Sequence, residues 1–471
     1  MNVVISNNII IDGPTPEIIK WCENNLVVNN PVYTQLKLRN QENIIKIRHV
    51  PEKLNLHSYR RGQLILPFGC LYAVWPMIKN TSSDIKLDFN NAGDISVKND
   101  TCTLTLRDYQ VDAVEKMLKA KGGILVSPCG SGKTTMGIEI IRRIGKKALW
   151  LCHTTDLLTQ TKDAMLKNYP NFKIGLTTDG KVEIGDDVTI ATVQTMDKID
   201  PELYKNEFDV VVCDESAHVA SAPTQMKMFG RVLSNIKARY KFGLTATPDR
   251  SDGMIKAMYC YIGLNPNGII DATVKISKDK VKTMPSIHQR VDIYTGCDTD
   301  ESILSLYDSS GMIIYNDLIQ YLVNKQERNE KIVDNIYKCY KEGRKQVVLT
   351  LRVEHCEIIE EMLKSKGIRT AVVTGKVATK KRKQILKEEI EWDILIATFQ
   401  LLKEGIDILT LDTLHMILPI KDKGTVVQCA GRIERYLEGK KQPITYDYVD
   451  TDIAYCEKKY IDRRRALKRR F

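Results

Sequence analysis

Residues 124–135 read Ile-Leu-Val-Ser-Pro-Cys-Gly-Ser-Gly-Lys-Thr-Thr. An apolar strand runs into a loop with two glycines, and Lys133-Thr134 opens a helical pattern. A phosphate cradle needs this order. Backbone N–H groups of the loop and the helix N-terminus face the anion, Lys133 reaches its outer phosphates, and the Thr134 hydroxyl is placed for Mg²⁺. The strict G-x-x-x-x-G-K-[ST] pattern begins with Gly, and Ser127 stands there instead. An ordinary Gly/Ser turn would need neither the strand before it nor Lys-Thr after it. The stretch therefore predicts a nucleotide-phosphate site built from Ser127, Pro128, Cys129, Gly130, Ser131, Gly132, Lys133, Thr134 and Thr135.

Eighty residues downstream, Phe208-Asp209-Val210-Val211-Val212-Cys213-Asp214-Glu215 is an apolar strand that ends in two carboxylates. Asp214 fits the metal-holding role, as a strand-end Asp does in phosphate-loop enzymes, and Glu215 fits the polarisation of an attacking water. The metal set expected is Thr134 and Asp214. Around these motifs, short apolar runs alternate with helical stretches: Gly123–Val126, Ala148–Cys152, Val188–Thr192, Val210–Cys213 and Lys241–Leu244. A second series follows at Gln346–Leu351, Thr370–Val373, Ile394–Ala397, Thr413–Leu418 and Thr445–Val449. Both are the pattern of a doubly wound parallel sheet. The expected fold is α/β: two tandem doubly wound parallel-sheet domains preceded by a small α/β N-terminal domain.

The length agrees, since 471 residues at roughly 150 per domain give about three units. We divide the chain at 1–100, 101–264, 265–341, 342–452 and 453–471, the third segment being a connector or inserted helical element and the last a basic tail. With 43% hydrophobic and 27% charged residues the composition excludes a disordered or fibrous chain. The twelve cysteines are scattered without a C-x-x-C pair, which argues for reduced thiols rather than a zinc knuckle or disulfide framework. The most apolar stretch, Leu64–Ile78, is broken by Pro67, Gly69 and Pro76 and is shorter than the roughly 18 residues a membrane span needs. No signal peptide or membrane partner is expected. The net charge of +11 suits a polyanionic partner, but residues 457–471 hold eight basic side chains against two acidic ones, so over half the excess is in that tail.

In order along Leu106–Val449 the motifs resemble those of superfamily 2 helicases. Leu106-Arg107-Asp108-Tyr109-Gln110 is similar to the adenine-reading segment, Asp214-Glu215 to a D-E-x-H box, Thr192-Val193-Gln194-Thr195 to a strand-contacting motif, and Thr245-Ala246-Thr247-Pro248 to the motif that couples hydrolysis to movement. Thr398 to Asp407 and Gln428-Cys429-Ala430-Gly431-Arg432-Ile433-Glu434-Arg435 resemble the fifth and sixth motifs. The resemblance implies tandem RecA-like domains. It adds Arg107, Gln110, Gly405 and Asp407 to the nucleotide-binding residues, Gln428, Arg432 and Arg435 to the catalytic set of Lys133, Asp214 and Glu215, and Thr245 and Thr247 to coupling. If Gln428–Arg435 is helical, Arg432 and Arg435 point to one side. The box departs from the family pattern, because Ala217 occupies its fourth position and His218 the next; His218 is the candidate coupling residue in its place.

Gly243 to Gly253, with T-A-T-P followed by Arg250 and Asp252-Gly253, looks like the XPB-type and phage UvsW-type group, and Leu66-Pro67-Phe68-Gly69 is similar to the small DNA-engaging domain before the motor in that group. The group implies a monomeric, cytoplasmic motor (in the host cytoplasm if phage-encoded) that hydrolyses ATP with Mg²⁺. It acts 3′-to-5′ on single-stranded, branched or duplex DNA in replication, recombination or repair. Contacts to the backbone of the nucleic acid would come from His153, Thr154, Thr192, Gln194, Arg352, Thr374, Gly375 and Thr398, each of which could equally cap a loop. The alternatives are an RNA helicase, since backbone contacts need not distinguish the sugars, the translocase part of a restriction-type system, and a non-hydrolysing scaffold.

Overall fold

Every second residue of the first strands is buried (Val3, Ile5, Ile9, Ile11), so these short segments pair into a sheet with one covered face. Strands β1 (Asn2–Ile5) and β2 (Asn8–Asp12) pair antiparallel. A separate two-stranded pair, β3 (Val27–Asn29) and β4 (Lys53–Asn55), follows the helix Pro16–Asn25. With β5 (Ser58–Arg60), β6 (Gln63–Pro67) and β7 (Asp84–Leu87) the mixed N-terminal sheet has the order β5-β6-β2-β1-β7. The computed structural model describes residues 1–38, 50–81, 84–96, 104–128, 130–217, 223–246, 255–263, 273–275, 287–293, 301–309, 311–387, 391–399, 408–420 and 423–468. They form two units, Met1–Lys280 and Val281–Phe471.

The first unit continues with β8 (Gly122–Val126), β9 (Ala148–Cys152), β10 (Ile174–Thr177), β11 (Val188–Thr192), β12 (Val210–Cys213), β13 (Tyr240–Thr245) and β14 (Thr273–Lys275). Their order is β10-β11-β9-β12-β13-β8-β14, and every pairing is parallel. Every residue of β9, β11 and β12 is buried, as expected of strands covered on both faces by crossover helices.

The second unit repeats the design with β15 (Ile287–Ile293), β16 (Gln346–Thr350), β17 (Thr370–Val373), β18 (Ile394–Thr398), β19 (Thr413–Met416) and β20 (Ile444–Asp450), all parallel in the order β15-β20-β19-β16-β18-β17. The doubly wound fold read from the apolar pattern is thus present twice. Residues read as a connector contribute an outer strand to each sheet, β14 and β15, and the helix Gln326–Lys341, whose Ile332, Val333, Ile336 and Cys339 enter the second core. That helix carries a buried cation. Arg328 Nε and Nη2 meet Asp450 at 2.7 and 3.1 Å, and Nη2 also reaches the Ile417 carbonyl at 2.7 Å.

The basic C-terminal stretch is a helix, Ala454–Lys468, and not a loose tail. Cys456, Tyr460, Arg463 and Leu467, spaced three to four apart, are buried. Arg463 forms a two-pronged pair with Asp447 at 2.9 and 2.7 Å, so it is part of the packing and only Arg464 and Arg465 remain as exposed arginines of the triplet.

Within the first unit the N-terminal sheet and the seven-stranded sheet share one apolar core, which runs from Val3, Ile11 and Leu66 through Phe229, Met258 and Ile262. At Gly69 the backbones meet so closely that a Cβ would lie 2.2 Å from the Tyr259 carbonyl and 2.3 Å from that of Gly263. Lys241, on the interior strand β13, is only 1% exposed at this seam. Its ammonium donates to the Leu233 carbonyl at 3.0 Å and the Asn7 carbonyl at 3.4 Å, and sits 5.4 Å from the centre of the Phe68 ring. Burial pushes this lysine down to about 7, from an ordinary value of 10.5. Because the unfolded chain holds the proton up to 10.5 and the folded chain releases it near 7, stability rises with pH across that interval. Urea unfolding is therefore expected to show the first unit gaining roughly 2 kcal/mol between about pH 7 and about pH 9 relative to Lys241→Met, in which that gain is absent. Parallel pH profiles for the two proteins would refute the assignment.

Candidate functional site

Five adjacent strands deliver sequence-named residues to one edge of the first sheet. In spatial order, β11 ends at Thr192, β9 leads to His153, β12 to Asp214, β13 ends at Thr245, and β8 leads to Ser127. The parallel register aligns these ends, with Thr192 opposite Cys152, Cys213 opposite Leu151 and Gly243, and Thr245 opposite Val126. Ligand chemistry at the carboxyl ends of an open parallel sheet follows from the fold itself, because strands and helix N-termini converge there.

The loop after β8 is held from three sides. The Ser127 amide donates to the Thr245 carbonyl at 3.0 Å, and the Ser131 amide to the Pro128 carbonyl at 3.3 Å. Ser127 and Ser131 are both fully buried, and their hydroxyls bond to each other. Ser127, where the strict motif has Gly, thus closes the loop on itself. Tyr109 Oη and Gln110 Nε2 both donate to the Ser131 carbonyl, at 2.9 and 2.8 Å, while Gln110 Oε1 accepts from the Arg107 amide at 2.9 Å. Both ends of the Gln110 amide are therefore engaged within the chain. Gly130 and Gly132 take the left-handed conformation (φ +78° and +81°), and a Cβ on Gly132 would sit 2.5 Å from Gln110 Nε2. From Gly132 the chain enters the helix Lys133–Ile144, with Thr134 and Thr135 in its first turn and Lys133 Nζ 3.5 Å from the Ser127 carbonyl.

Asp214, at the end of β12, is buried, and its Oδ1 accepts from the Glu215 amide at 3.0 Å. Burial first, and the charge of Glu215 second, push its carboxyl up to about 7, against the pull of Lys133. Glu215 itself takes a left-handed φ of +47°, costly for a residue with a Cβ and typical of a positioned functional group. A carboxylate under such strain gains from a divalent cation, and with the Thr134 hydroxyl it makes a hard, oxygen-only donor set of the kind Mg²⁺ takes. Among the described residues no three His, Cys, Asp or Glu side chains could hold a metal by themselves, so such an ion would depend on phosphate oxygens as well.

The residues read as backbone contacts fall into two groups. In the first unit, Gln194 Nε2 donates to the His153 carbonyl at 3.1 Å, which ties the ends of β9 and β11 together. Thr154 caps the helix Thr155–Asn168 by accepting from the Leu157 amide, and the Thr192 and Thr195 hydroxyls bond at 2.9 Å. In the second unit, Arg352 follows β16, Thr374 and Gly375 follow β17, and Thr398 ends β18, with Thr350 opposite Thr398 and Val373 opposite Ala397. Gly375 is exposed, Thr374 buried. Gln428 and Arg432 lie on the helix Lys423–Ile433, one turn apart. Arg435 lies beyond the end of that helix, where its carbonyl accepts from Lys440 Nζ at 2.9 Å, so the shared-face geometry expected for Arg432 and Arg435 holds for Gln428 and Arg432 instead. Among the described residues Gln194 Oε1, Arg352 Nε and Gln428 Oε1 are buried polar atoms without a partner, and such atoms mark positions where a ligand group would be welcome.

Cys129, His218, Thr247, Gly405 and Asp407 lie outside the described residues. Sequence reasoning missed Tyr109 as a brace of the phosphate loop, although it is adjacent to Gln110 and stands one turn from Ala113 on the buried side of the helix Asp108–Ala120. If Gln110 acts as a brace, Gln110→Ala leaves a buried carbonyl underbonded and weakens ATP and GTP binding alike, by about tenfold. Loss of discrimination between the two nucleotides, at unchanged ATP affinity, would mark a base-reading glutamine instead.

Residues 103–250 match the family described as the res subunit of type III restriction enzymes, and residues 327–436 the helicase conserved C-terminal domain. The protein L396 of Acanthamoeba polyphaga mimivirus, provisionally described as an ATP-dependent RNA helicase, is 27% identical over 364 residues, covering 76% of this chain and 66% of its own. The DNA 3′-5′ translocase XPB2 of Sulfurisphaera tokodaii is 26% identical over 373 residues, 70% of this chain and 79% of that one. The ATP-dependent DNA helicase uvsW of Enterobacteria phage T4 is 24% identical over 453 residues, 88% and 86% respectively. The chain spans just under two thirds of the length of the first of these relatives and more of the other two. Taken with the two parallel sheets and the loop between β8 and Lys133, these similarities show that the chain belongs to the superfamily 2 helicases of the XPB/UvsW type.

Proposed function

We propose that this protein is an ATP-driven DNA translocase that unwinds or branch-migrates forked and duplex DNA in replication, recombination or repair. The observation that carries the reading is the order of strand ends in the first sheet. The phosphate loop, Thr245 and Asp214 occupy three neighbouring strands, and the next two present His153-Thr154 and Thr192-Gln194. Nucleotide chemistry and a backbone track thereby share one rigid edge, with Thr245 hydrogen-bonded to the loop through its carbonyl.

In this reading Lys133 and the loop amides bind the phosphates of ATP, and Thr134 with Asp214 would hold Mg²⁺, which when bound neutralises phosphate charge. Glu215 orients and deprotonates the attacking water. The family resemblance assigns Arg432 and Arg435 to the charge that develops on the transferring phosphoryl group and Gln428 to the catalytic set. The names of the XPB2 and uvsW relatives favour DNA and, for the former, 3′-to-5′ movement. A second reading, an RNA helicase, is favoured by the name of the mimiviral relative.

ATPase rates measured with single-stranded DNA, forked DNA and RNA separate the two, and unwinding of forks, D-loops, Holliday junctions and RNA hybrids shows the preferred structure. DNA stimulation well above RNA stimulation is expected; the reverse would replace the first reading with the second. Arg435→Ala should lower turnover by about a thousandfold or more while ATP still binds, and Lys133→Ala should remove binding as well. Near-normal turnover in Arg435→Ala would exclude that arginine from the chemistry.

A further inference from the structure

The N-terminal sheet ends in a hairpin that its own packing does not require. Strand β5 is an edge strand and pairs only with β6, Tyr59 opposite Leu64 and Arg60 opposite Gln63, which leaves Arg61-Gly62 as a two-residue turn. Both turn residues have positive φ, +50° at Arg61 and +82° at Gly62. Turns of this kind select Asn, Asp or Gly at the first position, because a longer L side chain is strained there. Arginine at that point is a costly choice for a hairpin whose only task is to reverse the chain.

The side chains at the tip share a character. Tyr59 is 57% exposed, and Arg60 and Arg61 are both exposed. Neither arginine meets a carboxylate among the described residues, whereas the exposed arginines Arg143, Arg231 and Arg369 do, with Glu115, Asp197 and Asp393 respectively. Two unpaired guanidinium groups beside a bare aromatic ring complement a ligand that offers closely spaced anions and flat π faces, which is the chemistry of a nucleic-acid strand. An acidic protein surface would satisfy the arginines but offers no regular stacking partner for Tyr59.

The position also suits a mechanical task. The N-terminal sheet is joined to the phosphate-loop domain by the shared core, by the Gly69 backbone contact and by Lys241. A contact made at the hairpin is therefore carried rigidly with that domain.

We propose that the hairpin Ser58–Gln63 is a nucleic-acid contact of the first unit, additional to the strand-end residues: Arg60 and Arg61 take phosphates and Tyr59 stacks on a base exposed at a junction. The proposal rests on the reading that the protein acts on DNA. Its test is fluorescence anisotropy over a salt series with a labelled DNA duplex bearing a single-stranded extension, for the full chain and for Tyr59→Ala and Arg60→Ala/Arg61→Gly. Removing both arginines should reduce the slope of log affinity against log salt by about two. Tyr59→Ala should weaken binding about tenfold at unchanged slope. Because glycine relaxes the turn, Arg61→Gly alone should melt at the same or a higher temperature than the parent, which separates lost contact from lost fold. A parent that binds this DNA while both variants bind it with the same affinity and slope overturns the hairpin contact alone. A parent that does not bind it overturns the DNA reading, and the hairpin contact with it.

Discussion

The hydrogen bond from the Ser127 amide to the Thr245 carbonyl joins the phosphate loop to the end of β13, and much of the first unit is organised along that strand. Four residues earlier on the same strand, Lys241 reaches the N-terminal sheet through the Asn7 carbonyl and the Phe68 ring. One extended segment of six residues thus touches the N-terminal module at its start and the loop at its end. A strand buried between two others cannot bend or slide without breaking both ladders, so a displacement at either end is felt at the other. The serine at the first motif position belongs to the same arrangement, since its amide makes the strand bond and its hydroxyl the bond to Ser131. Glycine there would keep the first and lose the second.

The second unit secures its sheet by another route. Buried polar contacts link helices to strands, Arg328 with Asp450, His355 with Thr350 and Arg463 with Asp447; others join two helices, His355 with Asn329, or neighbouring strands, His415 with Gln346 and Tyr448. Burial pushes both histidines down to about 3, so each stays neutral, donating from one ring nitrogen and accepting at the other. Contacts of this kind add modest net stability, but removal of one partner leaves a buried charge or dipole unmet, and they fix which helix packs where. The same sheet carries Arg352, Thr374, Gly375 and Thr398 at or just after the ends of β16, β17 and β18.

Much of this could be read from the sequence because parallel strands are buried on both faces and stand out as uninterrupted apolar runs, as in Ala148–Cys152 and Val210–Cys213. The phosphate loop was legible for a different reason, since few contexts other than anion binding call for glycines between a strand and Lys-Thr. What stayed hidden was long-range and polar. The C-terminal helix reads as a solvated basic tail because Arg463 occupies a core position, and its counter-ion Asp447 lies on β20, sixteen residues away. Strand β10 escaped because Ile174–Thr177 is short and contains Gly175, which a Cβ would drive to 2.2 Å from the Gly185 amide. The engagement of Gln110 with Ser131 could not be foreseen from spacing, because it depends on how the helix Asp108–Ala120 docks beside the loop.

The two units also differ in where they tolerate electrostatic and backbone cost. In the second, the buried arginines Arg328 and Arg463 each have a carboxylate within the fold. In the first, Asp214 is buried beside a second carboxylate, Glu215 stands in a left-handed conformation, Lys241 is an ammonium with only carbonyls and a ring for company, and Arg61 is held at a positive φ. Each of these features is a cost to stability that selection for stability alone would disfavour. Lys241 is at the seam between the sheets, Asp214 and Glu215 follow strand β12, the former within the electrostatic reach of Lys133, and Arg61 is at the tip of the hairpin. The buried arginines of the second unit keep their carboxylate partners, yet Arg328 Nη1 and Arg463 Nη1 are buried without one, so both units carry buried polar cost.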